Sequence, residues 1–186
     1  MPALWRLTRN RYGRAVYDAL ARAGITATVM DEFVRSLGTL PDVGDDRIER
    51  CDPSAVARLD APTGELLTDE EVLAAFEDGR AVGYLFLSVD ATHRIHPLER
   101  PLSFEGAYLR RVFVAPDHRE RGVASALVAA ACERAQDRGA DRASALVAVD
   151  NRPSRRLFER LGFSPRRRRR YARVGPLSHR SVREPT

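Results

Sequence analysis

Residues 112–126 read VFVAPDHRERGVASA, and no other stretch constrains the chain as tightly. A β-branched and aromatic run ends at Pro116, an arginine-rich polar turn follows, and Gly122 precedes small residues dense enough for a helix. The pattern predicts a strand, a charged loop and a helix start. The N–H groups of Arg121, Gly122, Val123 and Ala124 would be the unpaired donors of that start, which carries roughly half an elementary positive charge. Such a terminus suits phosphate.

The spacing Arg119-x-x-Gly122-x-Ala124 sharpens this expectation. Gly122 has no Cβ, so a ligand can reach the backbone. Ala124 leaves the next turn uncrowded, and Arg119 and Arg121 bring charge to where two phosphates would sit. An ordinary strand-to-helix turn could carry the same residues in a chain this rich in Arg, Gly and Ala. The strand before, the helix after and Pro116 at the strand's end favour a pyrophosphate cradle. No Gly-Lys-Ser/Thr occurs, which excludes a Walker loop, and Gly-x-Gly-x-x-Gly is absent too.

Residues 3–8 suggest a first strand, with 47–51 as the competing choice. Residues 12–23 are expected to be helical, with Tyr12, Val16, Leu20 and Ala23 on one face and Gly24 as the stop. Val29, Phe33 and Leu37, spaced by four, predict a second helix over 26–37. Residues 38–46 read as a loop and 53–59 as a short helical turn. From 71 to 89, two apolar runs flank Asp78-Gly79, a hairpin signal; a helix over 72–76 capped from Thr68 is the alternative. In 90–103, Pro97 argues against a helix and His93 and His96 lack a third ligand. Both are expected to be solvated loop histidines, and no metal is expected.

Strand 107–114, helix 122–138 ended by Gly139, and the unbroken apolar strand 143–149 follow. The crossover helix makes these two strands a parallel pair. Asn151 is an N-cap, Pro153 fits the first turn, and Leu157, Phe158 and Leu161 form the apolar face of a helix ended by Gly162. One or two strands over 163–174, interrupted by five arginines, and a loose tail over 176–186 complete the chain.

A length of 186 residues fits one domain, and no apolar run reaches the roughly 18 residues of a membrane span. The N-terminus, MPALWRLTRN, lacks a signal-peptide core, so a cytoplasmic protein is expected. Cys51 and Cys132 have no neighbours at metal-ligand spacing and are expected to be reduced. The chain contains no lysine, which excludes Schiff-base chemistry on a lysine side chain.

Taken together, VFVAP at 112–116, RERGVA at 119–124 and NRPSRRLFERLGF at 151–163 resemble the GNAT-type N-acetyltransferase superfamily. The resemblance covers about residues 71–174 and is strongest over 112–163; the first 65 residues take no part. It implies an α/β (α+β) fold with a mixed, largely antiparallel central sheet of six to seven strands. That sheet would split in a V between strands 107–114 and 143–149, with helices on both faces. The implied organisation is a single acetyltransferase domain over 1–175, with a variable helical part at 1–65 and a cofactor-binding core at 71–174.

The resemblance further implies acetyl-CoA as cosubstrate. Its pantetheine arm would pair with backbone at Val112 and Val114, around Phe113. Its pyrophosphate would take the amides of Arg119, Glu120, Arg121, Gly122, Val123, Ala124 and Ser125, with further contacts from Asn151 and Phe158. The implied activity is direct transfer of the acetyl group to a primary amine, on a small molecule or a peptide, in a ternary complex. A CoA-binding regulatory module without catalysis is the alternative, and an arginine-rich RNA-binding protein a third. No membrane partner is expected, a homodimer is left open, and the weighing runs against nucleic acid.

The chemistry sets its own demands. The amine must lose a proton before it attacks, so a base or a water chain is useful. Backbone N–H groups around 112–114 are placed to stabilise the oxyanion. A thiol with an intrinsic pKa of roughly 8.5 leaves without strong need of an acid. Many family members carry a tyrosine as general acid where Phe158 stands, so either the thiolate leaves unassisted or Tyr171 serves. The family often has a glutamate base near the positions of Tyr108 and Arg110. Glu105 is the nearest carboxylate here, expected to act through water with Tyr108 lining the site; a surface carboxylate and a packed tyrosine are equal readings. Arg166–Arg170 read as a solvated edge that helps to hold the 3′-phosphate of CoA.

Overall fold

The computed structural model describes residues 25–38, 47–67 and 69–185. The strand expected over 3–8 and the helix over 12–23 lie outside the described residues, as does most of the 38–46 loop. The strands are β1 (Ile25–Ser36), β2 (Ile48–Cys51), β3 (Glu71–Glu77), β4 (Arg80–Val89), β5 (Thr92–Ile95), β6 (Arg100–Ser103), β7 (Ala107–Val114), β8 (Arg142–Ala148), β9 (Ser164–Val174) and β10 (Leu177–Arg183). The helices are α1 (Val123–Asp137) and α2 (Arg152–Arg160). Eight strands hydrogen-bond in the order β10-β9-β1-β8-β7-β4-β3-β2, one or two more than expected, and β5 and β6 pair separately. The fold is mixed α+β and mostly antiparallel. As expected from the crossover helix, β7 and β8 pair in parallel, in register at Ala107–Ala143 and Tyr108–Ser144.

The described chain forms two compact units, one of residues 34–38, 47–67, 69–92 and 103–145, the other of 25–33, 93–102 and 146–185. In the first of these, the 71–89 hairpin forms as expected. Asp78 and Gly79 both have positive φ (49° and 71°), the geometry of a turn whose twist matches its strands. Side chains alternate along β4, so Gly83, Leu85 and Leu87 face one way and Tyr84 and Phe86 the other. Tyr84 and Phe86 pack with Val56, Val72 and Ala74 beneath the 3₁₀ turn Pro53–Leu59. On the opposite face α1 lies directly on β4. A Cβ on Gly83 would stand 2.9 Å from the Phe113 carbonyl oxygen, 3.2 Å from Leu127 and 3.3 Å from Val123.

Four expectations are overturned. Residues 25–36 form strand β1, not the helix expected over 26–37. A spacing of four is even, so Val29, Phe33 and Leu37 share a strand face as readily as a helix face, and Ile25, Thr26, Thr28 and Val29 supply the β-branching that favours a strand. Residues 176–186 are not a loose tail, because Leu177–Arg183 pairs with β9 from Leu177–Val174 to Arg183–Arg168. β9 is therefore not a solvated edge, and Arg168 and Arg169 are structural. Arg168 donates two hydrogen bonds to Asp31 (2.7 and 2.9 Å), and Arg169 two to Glu32 (3.1 and 2.6 Å). Arg155 of α2 donates a third to Asp31 at 2.5 Å and lies over the Phe33 ring. The 90–103 segment is also more ordered than a loop: it forms the β5–β6 hairpin, and His93 is only 4% exposed rather than solvated.

Substituting Gly83→Ala is expected to cost about 1–3 kcal/mol by crowding the seat of α1, read as a lowered midpoint in chemical unfolding. A second prediction concerns acid. Burial opposes ionisation of Asp31, but hydrogen bonds and charge from Arg168 and Arg155 outweigh it and hold the carboxyl below the ordinary carboxylate range. With a lowered native pKa, its contribution is complete above the unfolded value of about 3.9 and is lost as pH falls through the native one. Asp31→Asn should cost about 3–5 kcal/mol at pH 7. Melts between pH 7 and pH 2 should show a smaller acid-induced loss in this variant than in the wild type.

Candidate functional site

The end of β7, the loop after it and the start of α1 build the site. Opposite β4, Phe86 pairs with Arg110 but Tyr84 pairs with Phe113, so β7 carries an extra residue. Arg111 marks this bulge with φ of 59°. Nothing local in the sequence announces it. Its effect is to put Arg110 and Phe113, three residues apart, on one face: the Arg110 guanidinium lies 5.0 Å from the Phe86 centroid, and Phe113 stacks on Tyr84 at 5.4 Å. Arg110 is locked by Glu70, whose side chain is buried, through two hydrogen bonds of 2.6 Å. Bulges commonly re-aim backbone and side chains beside active sites.

Beyond Val114 the chain turns through Pro116–His118 into the arginine loop. Glu120 and Gly122 both have left-handed φ (63° and 83°), and Arg121 between them does not. Such alternation turns successive N–H groups into one concavity that receives an anion. Two of the amides expected there are already used. Arg119 N–H donates to the Pro116 carbonyl (3.3 Å) and Ser125 N–H to the Gly122 carbonyl (2.8 Å). The N–H groups of Glu120, Arg121, Gly122, Val123 and Ala124 have no backbone acceptor among the described residues. A Cβ on Gly122 would meet nothing within 4 Å, so the space beside it is open.

The side chains around the loop divide the work. Arg119 Nε donates to the Val114 carbonyl at 3.0 Å and ties the loop to its strand. Glu77 gathers Arg47 at 3.3 Å and Arg121 at 4.0 Å, and its carboxylate lies 2.8 Å from His118 Nδ1. Arg121 remains 61% exposed, so its charge is available to an anion in the concavity.

Other residues expected in the site are elsewhere. Glu105 precedes β7, at the end away from the loop, roughly 25 Å along an eight-residue strand. Its side chain is 87% exposed and pairs with Arg142 at 3.2 Å. Tyr108 is buried and stacked on Phe104 with centroids 3.8 Å apart. Three more belong to the other unit. Asn151 caps α2, accepting from Ser154 N–H at 3.4 Å. Phe158 is buried with its centroid 5.1 Å from Phe163 and 6.3 Å from Phe33. Tyr171 is buried and donates its hydroxyl hydrogen bond to Glu99, which raises its phenol pKa above the ordinary value.

Residues 44–163, which include the bulge and the amide concavity, match the acetyltransferase (GNAT) family. The chain belongs to that family. Its fold is similar to that of a GNAT-family protein from Novosphingobium aromaticivorans, with a TM-score of 0.61, 19% identity, and coverage of 82% of this chain and 66% of that one. A Drosophila protein gives 0.59, 17%, 88% and 57%, and a GCN5-related N-acetyltransferase from Sphaerobacter thermophilus gives 0.52, 15%, 92% and 57%. The chain spans under two-thirds of the length of each, and at these identities the likeness is one of fold. Among curated proteins none matches the sequence.

Within this GNAT chain, Gly122→Ala separates backbone strain from crowding. The new methyl would enter open space, so the expected cost is the left-handed strain alone, about 1–2 kcal/mol. A lowered thermal midpoint with unchanged far-UV circular dichroism is the expected readout.

Proposed function

We propose that this GNAT protein is an acetyl-CoA-dependent N-acetyltransferase that delivers the acetyl group directly to a primary amine of a small molecule or peptide. The observation that supports it most is the run of five N–H groups, Glu120 to Ala124, that lack a backbone acceptor among the described residues at the start of α1. When bound, acetyl-CoA supplies a thioester already activated for acyl transfer. The five N–H groups and the positive end of α1 hold its pyrophosphate, with Arg121 adding charge. Val112 and Val114 offer backbone to the pantetheine arm, as in the family. Backbone N–H groups at 112–114, re-aimed by the bulge at Arg111, are assigned to the oxyanion that forms as the amine attacks.

Proton handling is assigned to water. Glu105 is given no role, because it stands a strand's length from the loop and in solvent. Tyr171 is likewise left out, its hydroxyl being engaged by Glu99. Phe158 is packed among aromatic rings and offers no proton, so the thiolate leaves on its own acidity. Tyr108 lines its strand as a packed ring, and a role for Asn151 rests on the family resemblance alone. A cytoplasmic location belongs to the same proposal.

The test is a thermal melt with and without acetyl-CoA. At a ligand concentration about a hundredfold above Kd, the wild type should gain about 2.7 kcal/mol and several degrees. Gly122→Asp, which fills the concavity and adds negative charge, should abolish the gain. An unchanged wild-type midpoint would overturn the proposal. Phe158 in place of a tyrosine favours one second reading, a CoA-binding module without turnover. A screen of amines with detection of released thiol separates the two, since CoA binding without thiol release selects that reading.

A further inference from the structure

Side chains alternate along β9, so Arg169, Tyr171 and Arg173 share the face opposite Arg168. Across the ladder Arg180 stands opposite Tyr171 and Val182 opposite Arg169. With Leu98 and Arg100, the residues Arg169, Tyr171, Arg180 and Val182 wall a shallow surface notch. The Arg180 guanidinium lies 4.5 Å from the Tyr171 centroid and donates from Nη1 to Ser178 Oγ at 3.2 Å. Stacking and one hydrogen bond fix its orientation while the rest of the fork stays open. Tyr171 is in turn fixed through Glu99, so the platform is rigid.

The charge on this face is not balanced. Arg169 is matched by Glu32 and Arg173 by Glu99 at 3.3 Å. Arg100 and Arg180 have no carboxylate partner among the described residues; Arg100 donates only to the Pro101 carbonyl, at 3.4 Å. Arg173 Nε, further along β9, is buried with no hydrogen-bond partner among the described residues. Buried donors are almost always paired, so an orphan of this kind marks a place that wants an acceptor. Two guanidinium groups without carboxylate partners suit a doubly charged oxyanion better than a single carboxylate.

We propose that this notch is a binding site for the phosphoryl group of a small ligand, held by Arg180 and Arg100, with the ligand's aliphatic part against Leu98 and Val182. All its residues lie in one compact unit, and none belongs to the 112–125 site, so the proposal does not depend on the acetyltransferase assignment. The arginine run thereby acquires two uses: Arg168 ties β9 to β1 and Arg169 braces the notch wall, while Arg166 is exposed on the far face.

Calorimetric titration of the full chain with inorganic phosphate, at constant ionic strength, tests this. Saturable one-to-one binding is expected, with acetate at least tenfold weaker. Arg180→Gln and Arg100→Gln should each weaken phosphate binding at least tenfold. Arg180→Lys, which keeps the charge but loses the fork, should weaken it too. Arg166→Gln removes the same charge from the opposite face and should change nothing, and Gly122→Asp should leave phosphate binding intact. The proposal is overturned by absent or unsaturable phosphate binding, or by acetate binding as tightly as phosphate. An equal loss in Arg166→Gln would mean general charge attraction only, and loss in Gly122→Asp alone would move the anion to the α1 loop; either result also sinks it.

Discussion

The missing side chain at Gly83 sets how closely α1 sits on β4, beneath the proposed acetyl-CoA site. With a hydrogen in place of a methyl, β4 lets the first turn of α1 rest on it, and Val123 and Leu127 close over the strand. That contact sets the seat of α1 on β4, and the left-handed turn at Gly122 leads into the helix. The bulge at Arg111 does the corresponding job in β7: one extra residue shifts the register against β4, puts Phe113 on Tyr84 and Arg110 on Phe86, and leaves the strand end re-aimed at the loop.

The other unit is held by a different force. Asp31 is fully buried and carries two arginines, one from α2 and one from β9. A buried carboxylate is tolerated only when its desolvation is matched by charge and hydrogen bonds, and three donated bonds do this. The same acid therefore fixes a helix and a strand to β1. Glu32, the next residue, faces the other way and is answered by Arg169. Two adjacent acids on a strand meet two adjacent arginines on its neighbour, one pair on each face.

Much of the candidate site was legible because its cues are local. Pro116, the polar turn, Gly122 and the small residues after it each act within a few positions, and the strand, loop and helix appear where these cues put them. What the loop's amides do was only half legible. Arg119 and Ser125 looked as available as their neighbours, and only the turn geometry shows that their N–H groups are already taken. Misread elements failed for stated physical reasons. β1 has an even hydrophobic spacing that fits helix and strand alike. β10 is short, polar and basic, and it becomes a strand because β9 offers it a ladder. His93 sits in a polar, proline-containing segment yet is buried by the hairpin it belongs to.

By itself, the sequence determined that a strand would run through a charged turn into a helix start at Gly122, because proline, glycine and small residues restrict the backbone wherever they stand. It also determined the GNAT family resemblance, carried by the motifs at 112–124 and 151–163. Tertiary structure alone decided which of those amides stay free, where Arg166–Arg170 spend their charge, and that Phe158 belongs to an aromatic cluster. These depend on partners far along the chain: Asp31 is 137 residues from Arg168, and Glu70 is 40 from Arg110. A residue's type sets what it can bond, but desolvation and register choose the partner, and both exist only once the strands are side by side.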